Sequence, residues 1–130
     1  MYRFYVHDDA RGDLDGLWET DPVAAARVAV VLEQLEHDES LRERLLEHRY
    51  GSNRTADFEI QKWVSQWEKN RDLWRLKIWA LEDLDIRYRV IYAYSIPNRS
   101  FHVLAVAHRD FNYDESDRIS QRVLRAYQDL

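Results

Sequence analysis

Apolar and polar residues alternate with a period of two through most of the C-terminal half of the chain. The alternation covers three stretches, residues 73–80, 86–94 and 101–108. Because successive side chains of a strand point to opposite faces of a sheet, this period predicts three strands. Residues 82–85 and 95–100 separate the strands and have the length of hairpin connections. We therefore predict an antiparallel β-meander over this half.

The first part of the chain has mainly helical spacing. Residues 2–7 are aromatic and β-branched and predict an opening strand, after which Asp8 or Asp9 is expected to begin a short helix. Residues 20–22, Thr-Asp-Pro, predict the start of a longer helix, because an acidic N-cap followed by proline favours helix initiation. The stripe expected to be buried on this helix comprises Val28, Val31, Leu32 and Leu35.

Three predictions concern the region between these two parts. Asp38 or Ser40 is expected to begin a further helix, and residues 50–57 predict a loop because they are rich in small polar residues. Residues 58–69 predict another helix, because their apolar residues recur at helical spacing. These apolar residues are Ile60, Trp63, Val64 and Trp67.

The residues that follow the meander predict a C-terminal helix beginning at Asp114 or Ser116. No repeat or linker divides the chain, so residues 1–130 are expected to form a single domain. The whole order predicts an α+β fold, in which an N-terminal strand and helices pack on one face of the antiparallel β-meander and a C-terminal helix follows.

Composition narrows the function classes. Hydrophobic residues make up 45% of the chain, and three Gly and two Pro are too few for a disordered or collagen-like protein. The sequence has no apolar run of membrane-spanning length and no signal-peptide pattern at its start, so no membrane association is expected. Cysteine is absent, which leaves no disulfide and no thiolate metal site. We predict a cytoplasmic protein.

Positive charge is concentrated locally, although the net charge is −5. Residues 41–80 carry nine Lys and Arg against six acidic residues. If the first two meander strands pair with their apolar faces together, four basic residues gather on the opposite face: Arg75, Lys77, Arg87 and Arg89. Like charges across a ladder repel, so an anion such as a phosphate backbone could offset them. Local ion pairs on a solvated face are the alternative.

The third strand ends at His108 and Arg109, and Tyr113 follows before the final helix. Strand ends often carry functional groups. Arginine can stabilise a charged transition state, tyrosine can stack on a base, and histidine can transfer protons near neutral pH. In the alternative interpretation, Arg109 pairs with Asp110 or Asp114, Tyr113 covers the core and His108 has no special role. The other histidines show no metal-ligand spacing, so neither metal nor cofactor is predicted.

These residues resemble the C-terminal half of RelE/ParE-superfamily toxins of type II toxin–antitoxin systems. The matching pieces are the basic strand with Arg75 and Lys77, the Tyr-Arg-Val-Ile-Tyr run at 88–92, and the aliphatic strand ending at 108–109 with Tyr113 downstream. The resemblance favours the RelE/HigB-like branch. It implies a compact α+β toxin that a cognate antitoxin protein neutralises.

For that branch the resemblance implies ribosome-dependent, metal-independent endonucleolytic cleavage of mRNA, in which the RNA 2′-OH attacks the adjacent phosphate. It implies that Arg89 binds the scissile phosphate or protonates the leaving group and that Arg109 stabilises the pentacovalent phosphate. Lys77 and Arg75 would hold the backbone and assist proton transfer, and Tyr113 would orient a base. With Arg87 and His108 as further RNA-binding residues, the ribosome and mRNA are the expected partners.

Two other functions remain open. One is a non-enzymatic ParE-type toxin that inhibits DNA gyrase, and the other is a non-toxic interaction module with the RelE fold. The net acidity favours these two, whereas the set formed by Arg89, Arg109 and Tyr113 favours the ribonuclease.

Overall fold

The computed structural model describes residues 1–86, 88–108, 111, 113–114 and 116–130. The strands within these residues are β1 (Arg3–Val6), β2 (Phe58–Lys62), β3 (Leu73–Ile78), β4 (Tyr88–Ser95) and β5 (Ser100–His108). The helices are α1 (Asp8–Thr20), α2 (Pro22–His37), α3 (Glu39–Glu43), α4 (Val64–Trp67), α5 (Trp79–Asp83) and α6 (Arg118–Gln128). A 3₁₀ turn, Arg44–Leu46, follows α3.

The described strands form one sheet in the order β1-β5-β4-β3-β2. β2, β3, β4 and β5 pair antiparallel in sequence order, which confirms the predicted meander and adds a strand to it. β1 pairs parallel to β5, so the sheet is mixed and the prediction of a purely antiparallel sheet is wrong. From β1 the chain passes through the N-terminal helices to β2, which lies at the opposite edge of the sheet. The α+β class is confirmed.

Helices cover both faces of the sheet, whereas the sequence predicted one. α1 and α2 pack on the face formed by Trp74, Leu76 and Tyr92, which belong to the larger hydrophobic core. α6 packs on the other face, where Val123 joins Leu73 in a second core cluster. The sheet therefore has little solvent-facing area, and polar side chains on it must find partners within the fold.

The predicted helix starts are largely confirmed. Asp21 caps α2 by accepting a hydrogen bond from Ala24 N–H at 3.2 Å, and Pro22 is the first helical residue. α3 begins after Asp38, whose side chain caps it. α6 begins at Arg118 with Asp117 as its cap, a few residues later than predicted. In each case an aspartate carboxylate binds an otherwise unpaired N–H of the first turn.

The predicted helix at 58–69 is wrong. Residues 58–62 form β2, which pairs with β3, and only the single turn of α4 is helical. Phe58 and Ile60 are buried on the face covered by α1 and α2, as a period of two requires. Val64, which completed the helical spacing, is 57% exposed. Pairing with a neighbouring strand here outweighs a local pattern that fits both structures.

The outer edge of β2 is covered by the preceding chain. Arg49 N–H donates to the Ile60 carbonyl at 2.6 Å, and Ile60 N–H donates to the Tyr50 carbonyl at 2.9 Å. Lys62 N–H donates to His48 Nδ1 at 3.0 Å. The chain before β2 therefore pairs with this edge of the sheet.

Two irregularities change where the meander side chains point. The strand predicted over 73–80 ends at Ile78, because Trp79 and Ala80 begin α5. In β5 the register shifts by one residue, since Ile91 lies opposite Ala105 and Tyr92 opposite Val103. The extra residue, Leu104, makes a β-bulge that reverses the facing of every later side chain in β5.

No helix within the described part of the chain is long and apolar enough to cross a membrane.

Candidate functional site

A row of charged side chains crosses β2, β3 and β4, from one edge of the sheet inward. Glu59 on β2 lies opposite Lys77 on β3, and Lys77 lies opposite Arg89 on β4. Beside this row, Gln61 lies opposite Arg75. These residues, which we call the polar cluster, share the face opposite α1 and α2 and line a cavity of about 70 Å³.

Carboxylates balance the two central cations. Lys77 Nζ lies 3.3 Å from Glu59 Oε1, and the Glu59 side chain is only 8% exposed. The Arg89 guanidinium pairs with Glu82, which projects from α5. Lys77 and Arg89 can therefore lie directly opposite each other, although like charges in this position repel. The predicted alternative of local ion pairs thus holds for both residues within the fold.

Arg75 joins the polar cluster to an aromatic group. Its guanidinium donates to Gln61 Oε1, and its Cζ lies 5.0 Å from the centre of the Tyr113 ring. The Tyr113 ring also contacts Trp63 and Phe111, with centroid distances of 5.4 Å and 4.4 Å. Burial raises the pKa of Tyr113, and the charge of Arg75 opposes that shift in part. The phenol therefore stays protonated at neutral pH and can donate a hydrogen bond.

His108 lies on the opposite face from Lys77 and Arg89. Its ring contacts Tyr88 at a centroid distance of 5.1 Å, on the face covered by α1 and α2. The bulge at Leu104 causes this placement, because it reverses the facing of the residues that follow. The predicted grouping of His108 with the basic face is therefore not seen. Arg87 and Arg109, which the sequence also predicted as site residues, lie outside the described residues.

The sequence prediction missed three members of this site. Glu59 and Gln61 lay in a segment predicted as helix, and Glu82 lay in a predicted hairpin connection. The alternation of apolar Phe58 and Ile60 with Glu59 and Gln61 is the signal that could have revealed the two residues on β2, whereas no such signal marks Glu82. It indicates a strand that buries one face and turns carboxylate and amide groups to the other.

The site combines cationic groups with one nearly buried carboxylate. Lysine and arginine can bind phosphate oxygens, and the arginine fork can bind two at once. Glu59, next to Lys77, is placed to accept a proton. Among the described residues no group of three His, Asp or Glu side chains is close enough together to hold a metal ion.

Three comparisons tested whether this chain resembles known proteins. No family model, no functionally characterised protein and no solved structure matches it.

Proposed function

We propose that the chain is a RelE/ParE-type toxin that cleaves mRNA on the ribosome and that a cognate antitoxin protein neutralises in the cytoplasm. The observation that carries the proposal is the row formed by Glu59, Lys77 and Arg89, with Arg75 and Tyr113 beside it. This arrangement offers cations for a phosphate, a carboxylate for a proton and an aromatic ring for a base. The α+β element order supports the same proposal.

The proposed reaction needs only groups of the RNA and the protein. The 2′-oxygen attacks the adjacent phosphorus while its proton passes to Glu59. The bond from phosphorus to the 5′-oxygen breaks, and the Lys77 ammonium gives a proton to that oxygen. The products are a 2′,3′-cyclic phosphate and a 5′-hydroxyl. Proton transfer from Glu59 to Lys77, whose polar atoms lie 3.3 Å apart, then restores the starting state.

Arg89 would stabilise the negative charge on the phosphate oxygens during this step. To do so, its guanidinium exchanges the Glu82 carboxylate for the phosphate, which has the same charge and a similar geometry. Arg75 would position the Tyr113 ring against a neighbouring base. Arg109, as predicted from the sequence, would be a second cation on the phosphate.

The experiment is expression of the chain in bacterial cells, with growth recorded and mRNA 5′ ends mapped. The wild type is expected to arrest growth and to cut mRNA inside translated codons. Arg89→Ala and Arg109→Ala are each expected to lower the cleavage rate at least about 100-fold, the usual cost of removing one group that stabilises transition-state charge. Arg89→Lys keeps the charge next to Glu82 but not the fork, so an intermediate rate is expected.

A matched control is Arg3→Ala, which removes an exposed strand arginine far from the polar cluster in sequence. It is expected to cleave mRNA at the wild-type rate. Thermal unfolding of each variant separates loss of folding from loss of chemistry. Growth arrest with intact mRNA would rule the ribonuclease out.

A second candidate is a protein of the same fold that binds a partner without cleaving RNA. The observation that favours it is the pairing of both central cations with carboxylates inside the chain. Growth arrest with intact mRNA and inhibited DNA supercoiling would indicate a gyrase inhibitor. Normal growth on expression, without any antitoxin present, would indicate a non-toxic interaction module.

A further inference from the structure

Glu82 occupies a position beside Arg89 that the proposed function assigns to a substrate phosphate. It lies on α5, and its carboxylate accepts a hydrogen bond from Arg89 Nη1. The same Nη1 donates to the Tyr88 carbonyl at 3.3 Å, so both of its hydrogens are bonded within the chain. A phosphate held by the two Nη atoms of Arg89 at once therefore has to replace the Glu82 carboxylate.

The ion pair between Glu82 and Arg89 is largely shielded from water. The Arg89 and Glu82 side chains are 19% and 15% exposed. The next residue of α5, Asp83, pairs with Arg54, and these two side chains are 57% and 53% exposed. Because water and salt screen exposed pairs, we expect the Glu82 pair to be the firmer of the two and to compete with a free anion for Arg89.

The backbone of α5 is fixed independently of Glu82. Leu81 is fully buried in the larger hydrophobic core, and Trp79 Nε1–H donates to the Gly51 carbonyl at 2.9 Å. The Glu82 carboxylate, in contrast, is carried on a flexible side chain with several rotatable bonds. Releasing Arg89 therefore needs a rotation of this side chain and no movement of α5.

The charge of the site depends on Glu82. The polar cluster holds three cations but one carboxylate, that of Glu59, and Arg75 is bonded to the neutral amide of Gln61. The cluster therefore has a charge of +2, which Glu82 as a second carboxylate reduces to +1. Its cavity of about 70 Å³ is well below the range of about 300–1,000 Å³ that is typical of whole ligands, so it suits a single anionic group.

We propose that Glu82 competes with the substrate phosphate: paired with Arg89, it keeps the phosphate site closed, and phosphate binds when this carboxylate turns away. The inference rests on the proposed function for the identity of the natural ligand. The observed affinity of such a site is its intrinsic affinity multiplied by the fraction of molecules that are open. A hydrogen bond between charged groups shifts an equilibrium by about tenfold or more, so roughly one molecule in ten or fewer is open.

The first test measures the binding of inorganic phosphate by titration calorimetry, without RNA. Glu82→Gln keeps the size of the side chain and removes its charge, and it is expected to bind phosphate at least about tenfold more tightly than the wild type. Asp83→Asn is the matched control, because it removes the neighbouring exposed charge of the same helix, and it should bind as the wild type does. The double variant Glu82→Gln, Arg89→Ala should lose the gain.

The second test measures single-turnover cleavage of an mRNA bound to ribosomes, at protein concentrations below saturation. Glu82→Gln is expected to cut about tenfold faster than the wild type, because more of its molecules are open. Glu82→Ala removes the carboxylate without adding an amide and is expected to show the same gain, so the test does not depend on the folding of one variant. If Glu82 only positioned Arg89, both variants would cut more slowly.

The outcomes separate the two proposals. If the wild type does not cut mRNA but Glu82→Gln gains phosphate affinity that depends on Arg89, the proposed function fails and this inference stands. If the wild type cuts mRNA and the Glu82 variants cut more slowly, only the inference fails. Equal phosphate binding by the wild type, Glu82→Gln and Asp83→Asn, including no measurable binding by any of them, would also overturn it.

Discussion

Asp13 joins three elements of the fold, and its removal should be among the most damaging single changes outside the core. Its carboxylate accepts a hydrogen bond from Val106 N–H at 2.9 Å and a pair of hydrogen bonds from the Arg122 guanidinium. β1 pairs with β5 only as far as Val103, so the Val106 N–H lies beyond the end of that ladder. Asp13, on α1, supplies the acceptor that a strand would otherwise provide.

The expected cost can be worked from these contacts. A hydrogen bond to a charged group contributes about 1.5–3 kcal/mol, and the side chains of Asp13 and Arg122 are 17% and 25% exposed, so their ion pair is only partly screened. We expect Asp13→Ala to lower the free energy of unfolding by about 3 kcal/mol. With an unfolding entropy of about 2.1 cal/mol/K per residue, the 130-residue chain should melt about 11 °C lower.

Urea and thermal unfolding measure the change in stability, and three other variants show which contacts of Asp13 cause it. Asp15→Ala removes an exposed aspartate of the same helix and should change the unfolding free energy by less than about 0.5 kcal/mol. Asp13→Asn keeps one acceptor for Val106 and should cost less than Asp13→Ala. A double-mutant cycle with Arg122→Ala isolates the ion pair. If Asp13→Ala unfolds like Asp15→Ala, the contacts of Asp13 do not stabilise the fold as argued.

Three further predictions concern single positions. Gly51→Ala should destabilise the fold by about 3 kcal/mol or more in urea unfolding. The left-handed backbone costs alanine about 1–2 kcal/mol, and the added Cβ would also clash with the β2 backbone. Gly12→Ala is the control, because a Cβ there meets no neighbour, and it should stabilise the fold by about 0.5–1 kcal/mol. Burial raises the pKa of Asp72 above its ordinary 3.8, so the folded state binds the carboxyl proton more tightly than the unfolded state does. The free energy of unfolding should therefore fall as the pH rises above 3.8. Asp72→Asn keeps an acceptor for Trp74 Nε1–H and should lack this fall in thermal melts recorded at different pH values. His108→Ala should keep the mRNA cleavage rate within about threefold of wild type, because this side chain lies on the face away from the polar cluster.

Strands β3 and β4 of the meander could be predicted because each carries a clear period of two. The same period placed Arg75, Lys77 and Arg89 on one face, and the register of β3 and β4 confirms it. The orientation of His108 could not be predicted in this way. Residues 103–107 are all apolar, so they carry no alternation that would mark the bulge at Leu104.

The carboxylates of the site were harder to predict than its cations. Glu59 depends on β2, a five-residue strand whose apolar residues also fit a helix. Its true structure is decided by pairing with β3, a contact that no local pattern records. The parallel pairing of β1 with β5 has the same origin, because residues 3–6 and 100–103 are far apart in sequence.

The cover on the outer edge of β2 has a consequence for self-association. An exposed edge strand offers unpaired N–H and carbonyl groups to any other extended chain and so promotes aggregation. Here residues 48–50 already occupy those groups at Ile60 and Lys62. Protease cleavage within the exposed loop at residues 52–55 would release one end of this cover. Nicked protein should therefore aggregate by adding strands at β2, whereas intact protein should stay dispersed under the same conditions.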